Sequence, residues 1–162
     1  MTINQVQDNI VGEFSVFDDW MDKYNLLIDM GKDLPVIDPK FKIRDFLIEG
    51  CQSKVWLHPE FRGDKIFFRA DSDAIITRGI VGLLIRVLSD RTPDEIIAAD
   101  LYFIDKIGLR QNLSPTRSNG LLSMVRQMKL YAMAYKAKGE RQQAAGDRQH
   151  ATGDHPQERG KK

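Results

Sequence analysis

The chain has 162 residues, of which 42% are hydrophobic and 29% charged, and its 24 basic and 23 acidic residues leave a formal net charge of +1. This length suits one domain with a substantial core, and the balanced charge favours neither nucleic acid nor an anionic membrane as partner. The most apolar stretch, 74–88, is too short to span a bilayer, and the N-terminus has no apolar signal region. We therefore expect a soluble, cytoplasmic protein.

The N-terminal residues predict two amphipathic helices. Thr2 and Gln5 form a capping-box pattern, and apolar residues at helical spacing follow, so the first helix should end near Ser15. Asp18 is a suitable cap for the second helix, which should end at Gly31.

The middle of the chain predicts a hairpin. Prolines make 34–39 an extended crossing segment, and 39–47 should be a short helix or irregular. Alternating apolar residues in 55–57 and 65–70 indicate two strands, joined by a tight turn within 61–64.

Helical patterns return after the hairpin. Apolar residues recur at helical spacing over 74–88, and 92–95 combines a capping box with a proline at the first helical position. A short turn should cover 100–107, and a last long helix should start at 114–115.

These elements predict an α+β domain over 1–137, in which helices pack on a small antiparallel sheet. The segment 138–162 is rich in Gln, Gly, Asp and Arg and has no large apolar residue. Such a segment buries too little surface to offset the entropy of ordering, so we expect a disordered polar tail.

Cys51 is the sole cysteine of the chain. An intramolecular disulfide is therefore impossible, and a single thiol is typical of a reducing compartment. The residue follows Gly50 on a predicted loop before the first strand, where a fold can hold a reactive side chain. A lone cysteine is also often a small buried hydrophobic residue, so the residues alone leave a functional and a structural thiol both open.

A cysteine enzyme needs a base beside its thiol, and the histidines offer little. His150 and His155 lie in the predicted tail, and the position of His58 after the first strand indicates a surface strand residue. A thiol without a histidine suits thiol exchange, in which a partner supplies acid and base groups.

The pair Asp71 and Asp73 could ligate a metal ion. This pattern is weak evidence for a metal site, because no further ligand lies nearby at suitable spacing. Acidic residues at a turn and a helix start explain this pair better. We predict no metal site and no bound cofactor.

Several separate blocks of the sequence, in matching order, resemble the SufE family. The central block is Gly-Cys-Gln-Ser at 50–53, followed by Val-Trp. The resemblance extends from about residue 10 to 135, and its blocks are 17–24, 31–35, 50–56, 71–79, 92–96 and 113–121.

The resemblance implies a fold similar to the IscU-type scaffold proteins and a role in iron–sulfur cluster assembly by the SUF system. A SufE protein is no enzyme by itself. It activates a cysteine desulfurase of the SufS type, whose pyridoxal phosphate belongs to that partner, and it accepts persulfide sulfur. The sulfur then passes to a SufBCD-type scaffold. A monomer or weak dimer is sufficient for this role.

The resemblance also implies site residues. Cys51 matches the persulfide-carrying thiol, Arg117 an arginine in contact with the desulfurase, and Asp73 an acid that sets the resting position of the acceptor loop; Gln52 belongs to the same group. Two alternatives stay open: a regulatory module of a desulfurase with a structural cysteine, or a stand-alone thiol enzyme or redox sensor that uses His58 or another base near Cys51.

Overall fold

The computed structural model describes residues 1–154, with side chains through residue 141. Within these residues six α-helices surround a two-stranded antiparallel sheet, which confirms the predicted α+β class. Short 3-10 helices occur at Pro39–Phe41, Arg44–Phe46 and Arg110–Asn112. The elements are α1 (Ile3–Ser15), α2 (Trp20–Gly31), β1 (Val55–Arg62), β2 (Lys65–Ser72), α3 (Ile75–Leu88), α4 (Pro93–Ala98), α5 (Phe103–Lys106) and α6 (Pro115–Asp154).

The caps of the first two helices follow from local sequence. Thr2 and Gln5 form the expected capping box, in which each side chain bonds to the backbone of the other residue. The cap of α2 is Asp19 rather than the predicted Asp18. The Asp19 carboxylate accepts from the backbone N–H of Met21 at 3.0 Å, so it is the residue placed to satisfy a free donor of the first turn.

The hairpin is longer than the predicted strands and has the predicted tight turn. Its register pairs Val55 with Ser72 at one end and Arg62 with Lys65 at the other. Alternate residues of both strands point into the core, where Leu57 and other apolar side chains are fully buried. The alternating apolar residues that predicted the strands are therefore the residues that pack the sheet against the core.

Irregular segments cover both edges of the sheet. Val36 of the crossing segment pairs in parallel with Ala70, and Arg91 pairs with Ile66, both on β2. Leu47 pairs with Trp56 on β1. These bridges satisfy backbone groups that an open edge would expose, and they fix the approach of the chain to residues 48–54.

Two helices form the opposite wall of the core. Helices α2 and α3 cross so closely that a Cβ on Gly79 would overlap the Leu27 carbonyl oxygen, so only glycine fits there.

Helix α6 buries Leu121, Met124, Met128 and Ala132. Its Lys129 ammonium donates to the carbonyls of Ile97 and Ala99 at 3.2 and 2.7 Å, which caps the end of α4.

Helix α6 does not end at the predicted boundary after residue 137. It continues to Asp154, through the first part of the segment predicted to be a disordered tail. Many residues of this part are Ala, Gln, Lys, Glu and Arg, whose high helix propensity favours continuation of the helix. The rest of that prediction concerns 155–162, outside the described residues. Among the described residues, no helix has both the length and the apolar content that a bilayer crossing needs.

Candidate functional site

Cys51 lies on the loop between the Leu47–Trp56 bridge and β1; we call residues 49–54 the acceptor loop. Ile48 donates to the Val55 carbonyl at 2.8 Å, which closes the base of this loop. Gly50 has a φ of +86°, a conformation that favours glycine, and a Cβ there would lie 2.9 Å from the Ser123 hydroxyl of α6. The loop can therefore turn tightly against α6.

The Cys51 side chain is half-buried against α6 rather than directed into solvent. Its Sγ lies 3.7 Å from the Gly120 carbonyl oxygen, to which the thiol donates a weak hydrogen bond. The adjacent cavity is only about 10 Å³, and Cys51, Arg117, Gly120, Met124 and Thr77 are among its lining residues. The thiol is therefore sheltered in this conformation.

Burial raises the pKa of the Cys51 thiol. A partly buried thiolate would lose hydration, and among the described residues no cation lowers the pKa in compensation. Since the thiolate is the nucleophile, the thiol in this position is protonated and weakly reactive at neutral pH. A more polar environment than this one would make the Cys51 thiol more reactive.

Asp73 closes the other end of the acceptor loop. Its carboxylate accepts from the backbone N–H of Lys54 at 3.1 Å, and its own N–H donates to the Lys54 carbonyl at 3.3 Å. The residue at the N-cap of α3 is Ala74, which makes no side-chain capping bond. The Asp73 carboxylate thus holds the loop rather than capping the helix.

Arg117 and Gln52 both line the small cavity beside Cys51. Arg117 is half-buried on the first turn of α6, and Gln52 is exposed on the loop. Among the ion pairs of the described residues, none includes Arg117. The structure therefore brings three of the sequence-predicted residues together, with Asp73 at the loop's end.

His58 belongs to a different cluster. Its ring stacks on Phe41, with centroids 3.8 Å apart, and meets the edge of Phe46 at 4.6 Å. Burial lowers the pKa of His58, which keeps the imidazole neutral. The Cys51 thiol bonds to Gly120, and no described hydrogen bond joins it to His58. The half-buried aromatic setting of His58 differs from the exposed strand position expected; His150 and His155 lie beyond the described side chains.

Asp71 takes part in an ionic cluster that sequence reasoning missed. Its carboxylate lies 3.0 Å from Lys42 and 3.4 Å from Arg78. Burial alone would raise the pKa of Asp71, but the hydrogen bond from Lys42 and further favourable contacts outweigh it, so the pKa is lowered. The cluster ties the segment before the acceptor loop to β2 and α3. Within the described part of the chain, no three metal-ligating side chains gather.

Gly120 is the site residue that sequence reasoning overlooked. It lies within the block 113–121, and helical spacing places it on one face with Arg117 and Met124. That spacing was a usable signal, but the partner of this face is Cys51, which is 69 residues away in the sequence.

Comparison with known proteins agrees with this architecture. The SufE family, described as an Fe-S metabolism associated domain, matches residues 8–132. An uncharacterized SufE-like protein of Rhizobium etli is 40% identical over 127 residues, which are 75% of this chain and 86% of the relative. Another from Rhizobium meliloti is 37% identical over 127 residues, 75% of this chain and 91% of that relative.

A plant relative and a solved structure extend the comparison. The SufE-like protein 1, chloroplastic/mitochondrial, of Arabidopsis thaliana is 40% identical over 119 residues, and the match covers 73% of this chain but only 32% of that protein. The solution structure of a hypothetical protein from Thermus thermophilus has a TM-score of 0.66 at 17% identity, covering 80% of this chain and 94% of that one, so it bears on the fold alone. The fold is that of a small α+β domain with one sheltered cysteine. The chain belongs to the SufE family.

Proposed function

We propose that this protein is a sulfur acceptor that takes persulfide sulfur from a pyridoxal-phosphate-dependent cysteine desulfurase onto Cys51. It stimulates that desulfurase, of the SufS type, and delivers the sulfur to a SufBCD-type scaffold for iron–sulfur clusters. Family membership supports the link to Fe-S metabolism. The single observation that carries the acceptor role is the placement of the sole thiol on a loop closed at both ends, against α6.

The transfer step is redox-neutral. The Cys51 thiolate attacks the outer sulfur of the donor's persulfide, the donor's S–S bond breaks, and the donor cysteine leaves as a thiolate. A new S–S bond forms on Cys51, and the proton of the Cys51 thiol passes to the partner or to water. This chemistry needs no metal, no second cysteine and no histidine base in the acceptor.

Because the pKa of Cys51 is raised, the desulfurase has to make the thiol reactive as well as donate sulfur to it. In the sheltered position the thiol is protonated, which protects it from oxidants and stray thiols. The partner must draw the acceptor loop outward into a setting that favours the thiolate. Asp73 resists this movement through Lys54, and Arg117 and Gln52 at the cavity present polar groups to the approaching partner.

Sulfide release by a cognate desulfurase, followed by intact mass of this protein, tests the proposal. Wild type should stimulate release and gain the mass of sulfur, and Cys51→Ser should do neither. Glu49→Gln, a substitution at an exposed residue of the same loop, controls for damage to the loop and should still gain sulfur. If Cys51→Ser stimulates as well as wild type, the chain is a regulatory module with a structural cysteine, and the acceptor role is wrong.

Arg117 has a separate test. We expect Arg117→Ala to weaken binding of the desulfurase by about tenfold, because a lost charged hydrogen bond costs about 1.5 kcal/mol. Arg126→Ala removes an exposed arginine from the same helix and should leave the Kd unchanged. Equal Kd values for both variants would exclude Arg117 from the interface.

Localisation and assembly belong to the same proposal. We propose a cytoplasmic protein that works as a monomer or weak dimer, since one Cys51 per chain suffices for transfer. Cell fractionation and sedimentation velocity test these two statements. The plant relative's name places that protein in the chloroplast and mitochondrion.

A further inference from the structure

Gly120 is the point at which Cys51 packs on the backbone of α6. A Cβ built on Gly120 would have three nearest neighbours, all of them atoms of Cys51: Sγ at 3.4 Å, Cα at 3.5 Å and Cβ at 3.7 Å. These are distances of close van der Waals contact. An alanine side chain therefore still fits, and any larger side chain needs the space that Cys51 occupies.

The site has no spare room for a second sulfur. The cavity between Cys51, Arg117 and Gly120 is about 10 Å³, which is at the lower limit for a single water molecule. A sulfur atom is larger than a water molecule. The terminal sulfur of a persulfide would therefore not fit in this cavity while the Cys51 side chain keeps its position against Gly120.

The hydrogen bond at this site also distinguishes the two forms of Cys51. The thiol donates its proton to the Gly120 carbonyl oxygen at 3.7 Å. A persulfide is more acidic than a thiol and is an anion at neutral pH, so it has no proton to donate. Its negative sulfur would instead face the lone pairs of a carbonyl, which is unfavourable in a partly buried site.

We propose that Gly120 is a positioning residue that holds Cys51 only as an unloaded thiol, so that sulfur bound to Cys51 moves the acceptor loop off α6. An empty carrier is then retracted, and a loaded carrier presents its sulfur to the recipient. The identity of the loaded group rests on the proposed function. The packing between Cys51 and Gly120 does not.

Chemical loading tests this inference without any desulfurase. Inorganic polysulfide transfers sulfur to Cys51: the thiolate attacks one sulfur of HS–S⁻, the S–S bond breaks, and HS⁻ leaves. We expect the backbone amide NMR signals of Gly50 and Ser123 to move on loading, toward their positions in unloaded Gly120→Leu. Unmoved signals in the fully loaded wild type would overturn the inference.

Alkylation by iodoacetamide gives a second readout, and the chain's single cysteine makes it unambiguous. Gly120→Leu should react about tenfold faster than wild type. This factor corresponds to the loss of about 1.4 kcal/mol that favours the loop packed on α6 over the open loop. Gly120→Ala should react like wild type. Gly139→Ala, on the same helix with nothing within 4 Å of the added Cβ, is the matched control. A Gly120→Leu variant that folds but reacts like wild type also contradicts the inference.

These outcomes separate the two proposals. If Gly120→Leu fails to fold, the comparison of loaded and unloaded wild type still decides the matter. If a desulfurase fails to load Cys51 but polysulfide loading moves the loop, the proposed function is wrong and the role of Gly120 stands. If the desulfurase loads Cys51 and the loop stays on α6, the role of Gly120 is wrong and the carrier function stands.

Discussion

At the scale of single residues, the proposed acceptor role requires Cys51 to be both protected and reactive. The structure favours protection, since the thiol is half-buried and donates a hydrogen bond to the Gly120 carbonyl, and burial raises its pKa. Its reactivity therefore depends on the loop that carries it. Two residues limit the movement of this loop: Gly120 offers a close-packed surface, and Asp73 holds the backbone of Lys54.

The raised pKa of Cys51 predicts a specific pH profile. The rate of alkylation should reach half its maximum at a higher pH in the native protein than in the urea-unfolded chain. As pH rises through the ordinary range of a thiol, the unfolded chain loses its proton first. Wild type should therefore lose stability relative to Cys51→Ser as pH rises. A native midpoint at or below the unfolded midpoint would contradict the burial effect.

Asp73 predicts a change in loop dynamics. Asp73→Ala removes the acceptor of the Lys54 N–H, so hydrogen exchange at the Lys54 amide should accelerate roughly fivefold, as for a bond worth about 1 kcal/mol. Asp73→Asn keeps an acceptor and should exchange close to the wild-type rate. Asp18→Ala, an exposed acid elsewhere, serves as control. Unchanged exchange in Asp73→Ala would show that the carboxylate does not hold the loop.

At the scale of elements, the buried polar side chain of Gln7 joins two helices that are distant in sequence. Gln7 of α1 is fully buried. Its amide donates to the Asp100 carbonyl at 2.9 Å and accepts from the Phe103 N–H at 3.1 Å. The short α5 has no side-chain cap of its own, so Gln7 satisfies its first turn from another helix.

Gln7→Leu should therefore destabilise the fold. Leucine has a similar volume but leaves the buried Phe103 N–H without its acceptor and removes the bond to the Asp100 carbonyl, so the free energy of unfolding should fall by about 1–3 kcal/mol. Urea unfolding measures the change. Gln111→Leu, at an exposed position, should stay within about 0.5 kcal/mol of wild type. Equal stability of the two variants would mean that water replaces Gln7 at α5.

At the scale of the whole molecule, α6 joins the core to the C-terminal segment. Among the side chains that the structure describes, the hydrogen bonds and ion pairs from α6 to the rest of the domain end at Lys136, which lies 2.8 Å from Asp94. Just before it, Tyr135 stacks on Phe61 and donates to the Gly63 carbonyl. The functional unit therefore needs α6 to this point.

Removal of residues 138–162 should leave the domain intact. We expect the free energy of unfolding to change by less than about 1 kcal/mol, because residues 138–141 are exposed and the segment 138–162 has no large apolar residue to bury. The Cys51 alkylation rate should also be unchanged. A truncation after Leu130 deletes buried Ala132 and the stacked Tyr135, and it should unfold at much lower urea. If both truncations are equally destabilised, the C-terminal segment belongs to the folded domain.

Much of the local structure was predictable because its causes lie close together in the chain. The capping boxes at Thr2 and Thr92 form between residues three apart, and alternating burial follows the pleat of the hairpin. The only strong nucleophile, the Cys51 thiol, was also evident from composition, since the chain has one cysteine. The cap of α2 was predicted wrongly because neighbouring residues compete for it, as Asp18 and Asp19 do. Helix α6 continues past residue 137 into a part of the chain whose residues have high helix propensity.

A small α+β domain with one thiol on a loop before a hairpin follows from the residue pattern alone. The burial and hydrogen bonding of that thiol depend on the packing of distant parts of the chain. Cys51 meets Gly120 across 69 residues of chain, and Asp73 meets Lys54 across 19. Such contacts depend on how α6 and α3 pack against the sheet, which local propensity does not specify, because packing is set by side chains far apart in sequence.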